Sequence, residues 1–143
     1  MFEEFKCRMT KETDLVVYSV KEEDILNAEE RMGFQFPDPL RKFYQEVGYG
    51  FIKATPNFHN RIMPPSDVAD FVCGSEEYQY VDKSIYDENE LVFMQIAYED
   101  FLTIDYKNHK EGQIKYFGDV IADTLVNFLN KILKKPDFYI NQK

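Results

Sequence analysis

Tryptophan is absent from this chain of 143 residues, and histidine and cysteine occur only twice each. Two cysteines cannot build a disulfide framework. Cys7 and Cys73 both lie among apolar neighbours and read as small buried hydrophobes in a reducing compartment. His59 and His109 fall in turn-like sequence, far apart, so nothing in their spacing suggests a metal site or a Cys-His or Ser-His pair. The phosphate-cradling patterns GxGxxG and GxxxxGK are missing, as are the zinc-type spacings CxxC and HExxH. No cofactor or metal is therefore expected. No apolar run approaches the ~20 residues that span a bilayer. Nor does the chain open on a basic stretch followed by an apolar one, so a soluble cytoplasmic protein with no membrane association is expected.

What the chain does have is acid. Lys and Arg number 17 against 26 Asp and Glu, for a formal net charge of −9. Residues 64–105 hold eleven acidic side chains and one basic, Lys83, so the whole excess falls in the middle third. A field of this sign repels phosphate, which argues against direct nucleic-acid binding and favours a basic protein partner or plain solubility. At 44% apolar content the chain is long enough to bury a core as one domain, residues 1–143.

Residues 19–50 make the clearest local statement, two amphipathic helices joined by a tight corner. Ser19 and Glu22 have capping-box spacing, which starts the first helix near Val20, and Gly33 stops it. Ile25, Ala28 and Met32 form its inner stripe, and Glu29 falls on that stripe among them. Asp38 before Pro39 predicts an N-cap with proline at the first helical position. Leu40, Phe43, Tyr44 and Val47 then keep helical spacing until Gly48. Glu29 is placed to reach the free amides at the start of this second helix.

The remaining pattern predicts an α+β fold. Phe2, Phe5 and Met9 suggest a short N-terminal helix, and Leu15–Tyr18 a short strand or extended lead-in. Phe51–Thr55 and Arg61–Met63 read as strands, followed by a brief helix with Val68, Phe71 and Val72 inward, ended by Gly74. Residues 75–90 have no convincing period and read as an exposed loop or short helical turn. Leu91–Ala97, Phe101–Tyr106 and Gln113–Phe117 predict an antiparallel meander, with Leu102, Ile104 and Tyr106 on the face of Ile114 and Tyr116. Asp119 is read as the cap of a last, long helix with stripes of Ile121, Leu125, Phe128, Ile132 and of Ala122, Val126, Leu129, Leu133, closed by Pro136. The expected architecture is an antiparallel central sheet with an N-terminal helical corner and a long C-terminal helix packed on it.

The run Ile25, Glu29, Gly33, Phe36-Pro37, Phe43 and Gly48-Tyr49-Gly50 resembles the leading motif of the SUKH superfamily of Smi/Knr-like domains. Ile62-Met63-Pro64-Pro65, then Ile96, Leu102 and Asp105, then Ala122, Leu125, Phe128 and Leu129 resemble its later segments in order, so the resemblance spans about residues 20–133. Two departures stand out: no tryptophan lies in the last helix, and Gly-Tyr-Gly replaces the commoner Asn-Gly-Gly. The resemblance implies an α+β fold in which Glu29, Gly33, Pro37, Gly48, Gly50 and Asp105 are structural. It also implies an immunity protein that binds and silences a toxin, often a nuclease. The other class it allows is a protein-docking adaptor that inhibits nothing, as eukaryotic relatives are thought to be.

The surface for such a partner is sought in residues 76–90. There Glu76, Glu77, Asp82, Asp87, Glu88 and Glu90 alternate with Tyr78, Tyr80 and Tyr86. Tyrosine offers rigid contact area with a polar tip, and surrounding carboxylates steer a basic partner such as a toxin nuclease domain. Asp67, Asp70, Glu99 and Asp100 are candidates to extend it. The plainer reading, a solvated charged face, stands beside this one. An enzymatic reading has only Glu29 and Asp105 to offer as acid and base, and both are more simply explained as structural carboxylates.

Overall fold

A computed structural model describes residues 1–107 and 111–141. The element order is α1 (Glu3–Met9), β1 (Leu15–Tyr18), α2 (Glu22–Met32), α3 (Asp38–Glu46), β2 (Tyr49–Ile52), β3 (Arg61–Ile62), α4 (Pro65–Cys73), β4 (Glu90–Ala97), β5 (Asp100–Asp105), β6 (Ile114–Tyr116), β7 (Asp119–Ala122) and α5 (Leu125–Lys134), with short 3-10 turns at Glu76–Tyr78, Lys83–Ile85 and Phe138–Asn141. All seven strands lie in one sheet in sequence order, each antiparallel to its neighbour. The fold is α+β, as the pattern predicted. No described helix is long and apolar enough to cross a membrane.

The β4–β5 hairpin is the centre. Phe101 to Asp105 are five successive buried residues, and Leu91 to Met94 are four. Since alternate residues point to opposite faces, such runs require cover on both sides of the sheet. Helices supply it: Phe71 of α4 meets Phe101 edge-on at 5.2 Å, and Phe128 of α5 meets Phe93 at 6.1 Å. Ile104 pairs with Ile114 as the meander requires, whereas Tyr106 lies past the strand and stacks on Phe34.

At the edge, β1 and β2 approach closely. Gly48 and Gly50 sit at φ 129° and 146°, where a β-carbon would stand 2.0 Å from the Tyr18 carbonyl oxygen and 2.1 Å from that of Val16. Only glycine fits this pair of positions. Gly33, at φ 84°, ends α2 in the left-handed region but faces open space.

The helical corner is held by charge. Glu29, 8% exposed, accepts the Phe36 amide at 2.9 Å and the Arg41 Nε at 3.1 Å, and Arg41 also reaches Glu22 at 3.2 Å. The hydrogen bond to Glu29 raises the Arg41 pKa further. The carboxylate thus ties the turn between α2 and α3 and a side chain of α3, rather than the first amides of that helix. Across the sheet, Asn60 is fully buried at φ 46° and accepts the Tyr139 hydroxyl at 2.5 Å while donating to the Pro136 carbonyl at 3.0 Å.

Several expectations are corrected. No capping box forms: Lys21 is the N-cap of α2, without a side-chain cap, and Glu22 is instead drawn to Arg41. Pro37, not Asp38, holds the N-cap position of α3, and it makes no side-chain cap. β2 ends at Ile52, because Lys53 turns to φ 51° and leaves the sheet. Asp119 caps nothing. It opens β7, with Ile121 and Ala122 in the strand, and Thr124 caps α5 by accepting the Asn127 amide at 3.0 Å. The last helix accordingly has ten residues and is not long. Cys7 and Cys73 are exposed, not buried.

Two stability effects follow. Gly50→Ala is expected to cost about 3 kcal/mol or more, against about 1–2 kcal/mol for Gly33→Ala, because only the first forces β-carbon against backbone. Urea unfolding of the two variants measures the difference. Glu29→Ala is expected to cost about 2–3 kcal/mol, since it strands the buried Phe36 amide and removes the partner of Arg41. Glu29→Gln, which keeps an acceptor, should cost visibly less in the same measurement.

Candidate partner-binding surface

Residues 75–89 leave α4 at Gly74, which adopts a left-handed φ of 67°, and cross back to β4 through two 3-10 turns. The segment is pinned at several points. Tyr78 turns inward, 3% exposed, to meet Phe71 at 5.5 Å and Phe101 at 6.2 Å. Asp82 caps the second turn by accepting the Ser84 amide at 3.0 Å and the Ser84 hydroxyl at 2.6 Å, and these bonds lower its pKa. Lys83 donates to the Val72 carbonyl at 2.8 Å, binding the segment to α4. Asp87 accepts the Asn89 amide at 2.8 Å, and the Tyr106 hydroxyl donates to the Glu88 carbonyl at 2.9 Å.

What remains outside is mostly acid. Glu76, Glu77, Asp82, Asp87 and Glu88 are exposed, and Tyr80 is 89% exposed. Two residues sought in this surface belong elsewhere. Tyr78 is core, and Glu90, its side chain 4% exposed, pairs with Lys115 at 3.6 Å. Tyr86 is half-buried and packs edge-on against Phe71 at 5.9 Å. Burial pushes the phenols of Tyr78 and Tyr86 up to about 12, so both stay neutral and the negative field comes from carboxylates alone.

The flanking acids divide the same way. Asp67 is paired with Arg61 at 2.7 Å, and Asp70 with Arg31 at 2.6 Å. Asp100 accepts the Tyr116 hydroxyl at 3.0 Å, and burial raises its pKa. Glu99 is exposed at the β4–β5 turn.

Two depressions border the segment, one on each side of Tyr86. The first, about 190 Å³, is walled by Phe34, Phe71, Tyr86 and Tyr106 above Leu91 and Val92. The second, about 340 Å³, lies between Ile85 and Phe117 over the Glu90–Lys115 pair. Phe34, Tyr106 and Phe117 are the residues that sequence reasoning missed here. They come from the α2–α3 connection, the end of β5 and the β6–β7 turn, and no local pattern joins them.

The motif residues are engaged in packing and turns. Asp105, 1% exposed, accepts the Lys107 amide at 3.0 Å, as a turn-forming carboxylate does. Glu29 is committed to Phe36 and Arg41. Among the described residues, no group of three or more His, Cys, Asp or Glu side chains is arranged for a metal ion. His59 donates its amide to the Ile96 carbonyl, and His109 lies outside the described residues.

The model of the SMI1 / KNR4 family (SUKH-1) matches residues 19–131. Immunity protein YxxD of Bacillus subtilis (strain 168) is 33% identical over 138 residues, covering 94% of this chain and 92% of the relative. No solved structure matches the chain. With the match running from the capless start of α2 through most of α5, and the motif glycines seated where the β1–β2 pairing demands them, the chain belongs to the SMI1 / KNR4 family, SUKH-1.

Proposed function

We propose that this chain is an immunity protein that binds a cognate toxin, a basic nuclease domain, and neutralises it by occupation rather than by catalysis. The relative's printed name supports the immunity role, and it covers nearly the whole of both chains. The observation that carries the surface assignment is the exposure of Glu76, Glu77, Asp82, Asp87 and Glu88 on one short pinned segment beside exposed Tyr80. A nuclease must hold phosphate and is basic where it does so. An acidic inhibitor fits the space reserved for the substrate backbone, and its field speeds encounter.

The physical logic favours a preformed surface. Because Tyr78, Lys83 and the Tyr106–Glu88 bond fasten the segment to the body, while Asp82 and Asp87 brace its own turns, little ordering entropy is lost when a partner arrives. The carboxylates are exposed, so each contributes modestly and is screened by salt. Binding should therefore weaken as ionic strength rises.

The test is co-expression with the toxin encoded beside the gene, scored by survival, and binding of the purified pair. Reversing Glu76, Glu77, Asp87 and Glu88 to lysine together is expected to abolish protection and to raise Kd at least about tenfold, ~1.4 kcal/mol, mainly through slower association. Unchanged survival and unchanged affinity would remove this surface from the reading.

A further inference from the structure

The depression beside α4 is the wrong size for a metabolite. At about 190 Å³ it is smaller than the ~300 Å³ at which small-molecule pockets begin, and it matches one large side chain. Its walls are aromatic: Phe34 and Tyr106 stack at 4.6 Å with their planes 16° apart, and Tyr86 stands against Phe71. Its base is Leu91 and Val92, both buried members of the core. Glu90 also lines it but is paired with Lys115 at 3.6 Å, which leaves the Tyr86 hydroxyl as the buried polar atom of the lining without a hydrogen-bond partner among the described residues.

The unpaired carboxylates lie at the rim. Asp87 and Glu88 are exposed there, and neither is ion-paired among the described residues. The two cations nearby are already engaged, Lys83 by the Val72 carbonyl at 2.8 Å and Lys107 over the Tyr106 ring at 5.4 Å. An apolar centre inside a charged, water-exposed edge is the anatomy of an anchor pocket in a protein interface. The second depression differs, because Lys115 joins Glu90 in its lining, together with Ser84 and Asp87.

We infer that the first depression is a socket for one bulky apolar side chain, of leucine to phenylalanine size, presented by a protein segment whose adjacent residues are lysine or arginine. The inference rests on the proposed function, since it names what the basic partner offers to this surface. Burial of the anchor supplies affinity, while Asp87 and Glu88 select basic flanks and disfavour acidic ones.

The test uses peptides rather than the toxin. Acetyl-Lys-Lys-Phe-Lys-Lys-amide, its alanine-centred counterpart and a glutamate-flanked phenylalanine peptide are titrated into the labelled protein and followed by NMR. The lysine-flanked phenylalanine peptide is expected to bind at least tenfold more tightly than the alanine peptide, with shifts centred on Phe34, Val72, Val92 and Tyr106. The glutamate-flanked peptide should not bind. Val72→Phe, which fills the socket, should erase the preference for phenylalanine with the melting temperature nearly unchanged. If that variant fails to fold, Phe34→Ala, which removes one wall, should reduce the same preference. Equal affinity of the phenylalanine and alanine peptides, shifts centred elsewhere, absence of any binding at millimolar peptide, or binding of the acidic peptide overturns the socket. The socket stands or falls on the phenylalanine preference, and the acidic surface on the fourfold charge reversal against the toxin, with Asp87 and Glu88 common to both.

Discussion

The burial of the β4–β5 hairpin on both faces is the constraint from which the rest of the molecule follows. Five consecutive buried residues in β5 leave no solvated face on that strand, so the sheet must carry helices on each side. The chain provides them before and after the hairpin, with α2, α3 and α4 encoded first and α5 last. Charge then has nowhere to go but the connections and edges. The 75–89 segment, inserted between a covering helix and the first central strand, is one place where acid collects. Its inner residues still answer to the core, which is why Tyr78 faces inward among neighbours that face out.

Much of the architecture was legible because helices and a meander leave strong periods. The inner stripes of α2 and α3, the short α1, the helix after Pro64-Pro65 and the three central strands all stand within a few residues of where the pattern puts them. The misreadings have physical causes. Asp119 precedes Ile121 and Ala122, which continue the spacing of Leu125 and Phe128, so a four-residue strand was absorbed into the helix it precedes. Thr124, the residue that caps the helix, was hidden by that continuity. The capping box failed because the helix starts at Glu22 itself, after Lys21, so its carboxylate is at the first helical position and turns to Arg41, a long-range partner that no local rule reveals.

The site was only partly readable. The segment's acids are exposed as a loop of that composition suggests, but a lone tyrosine in a 3-10 turn has no periodicity to announce its direction. Tyr78 and Glu90 were therefore assigned outward when one fills the core and the other faces Lys115. The depression beside α4 was invisible altogether, since Phe34 and Tyr106 come together only when the α2–α3 corner closes over the end of β5. Glu29 was legible as an inner-stripe carboxylate in need of a partner, and its partners are the Phe36 amide and Arg41 rather than the first amides of α3.

One contact joins distant parts of the chain. The Tyr139 hydroxyl bonds to Asn60 across 79 residues of sequence, and the Pro136 carbonyl takes the other end of the same amide. A buried amide with neither partner is costly, so the β2–β3 connection stays unfinished until residues 136–139 have left the ribosome. The sheet is begun early and fastened last. A nascent chain halted within α5 would have made its sheet strands yet lack the clasp between the β2–β3 connection and the C-terminal turn.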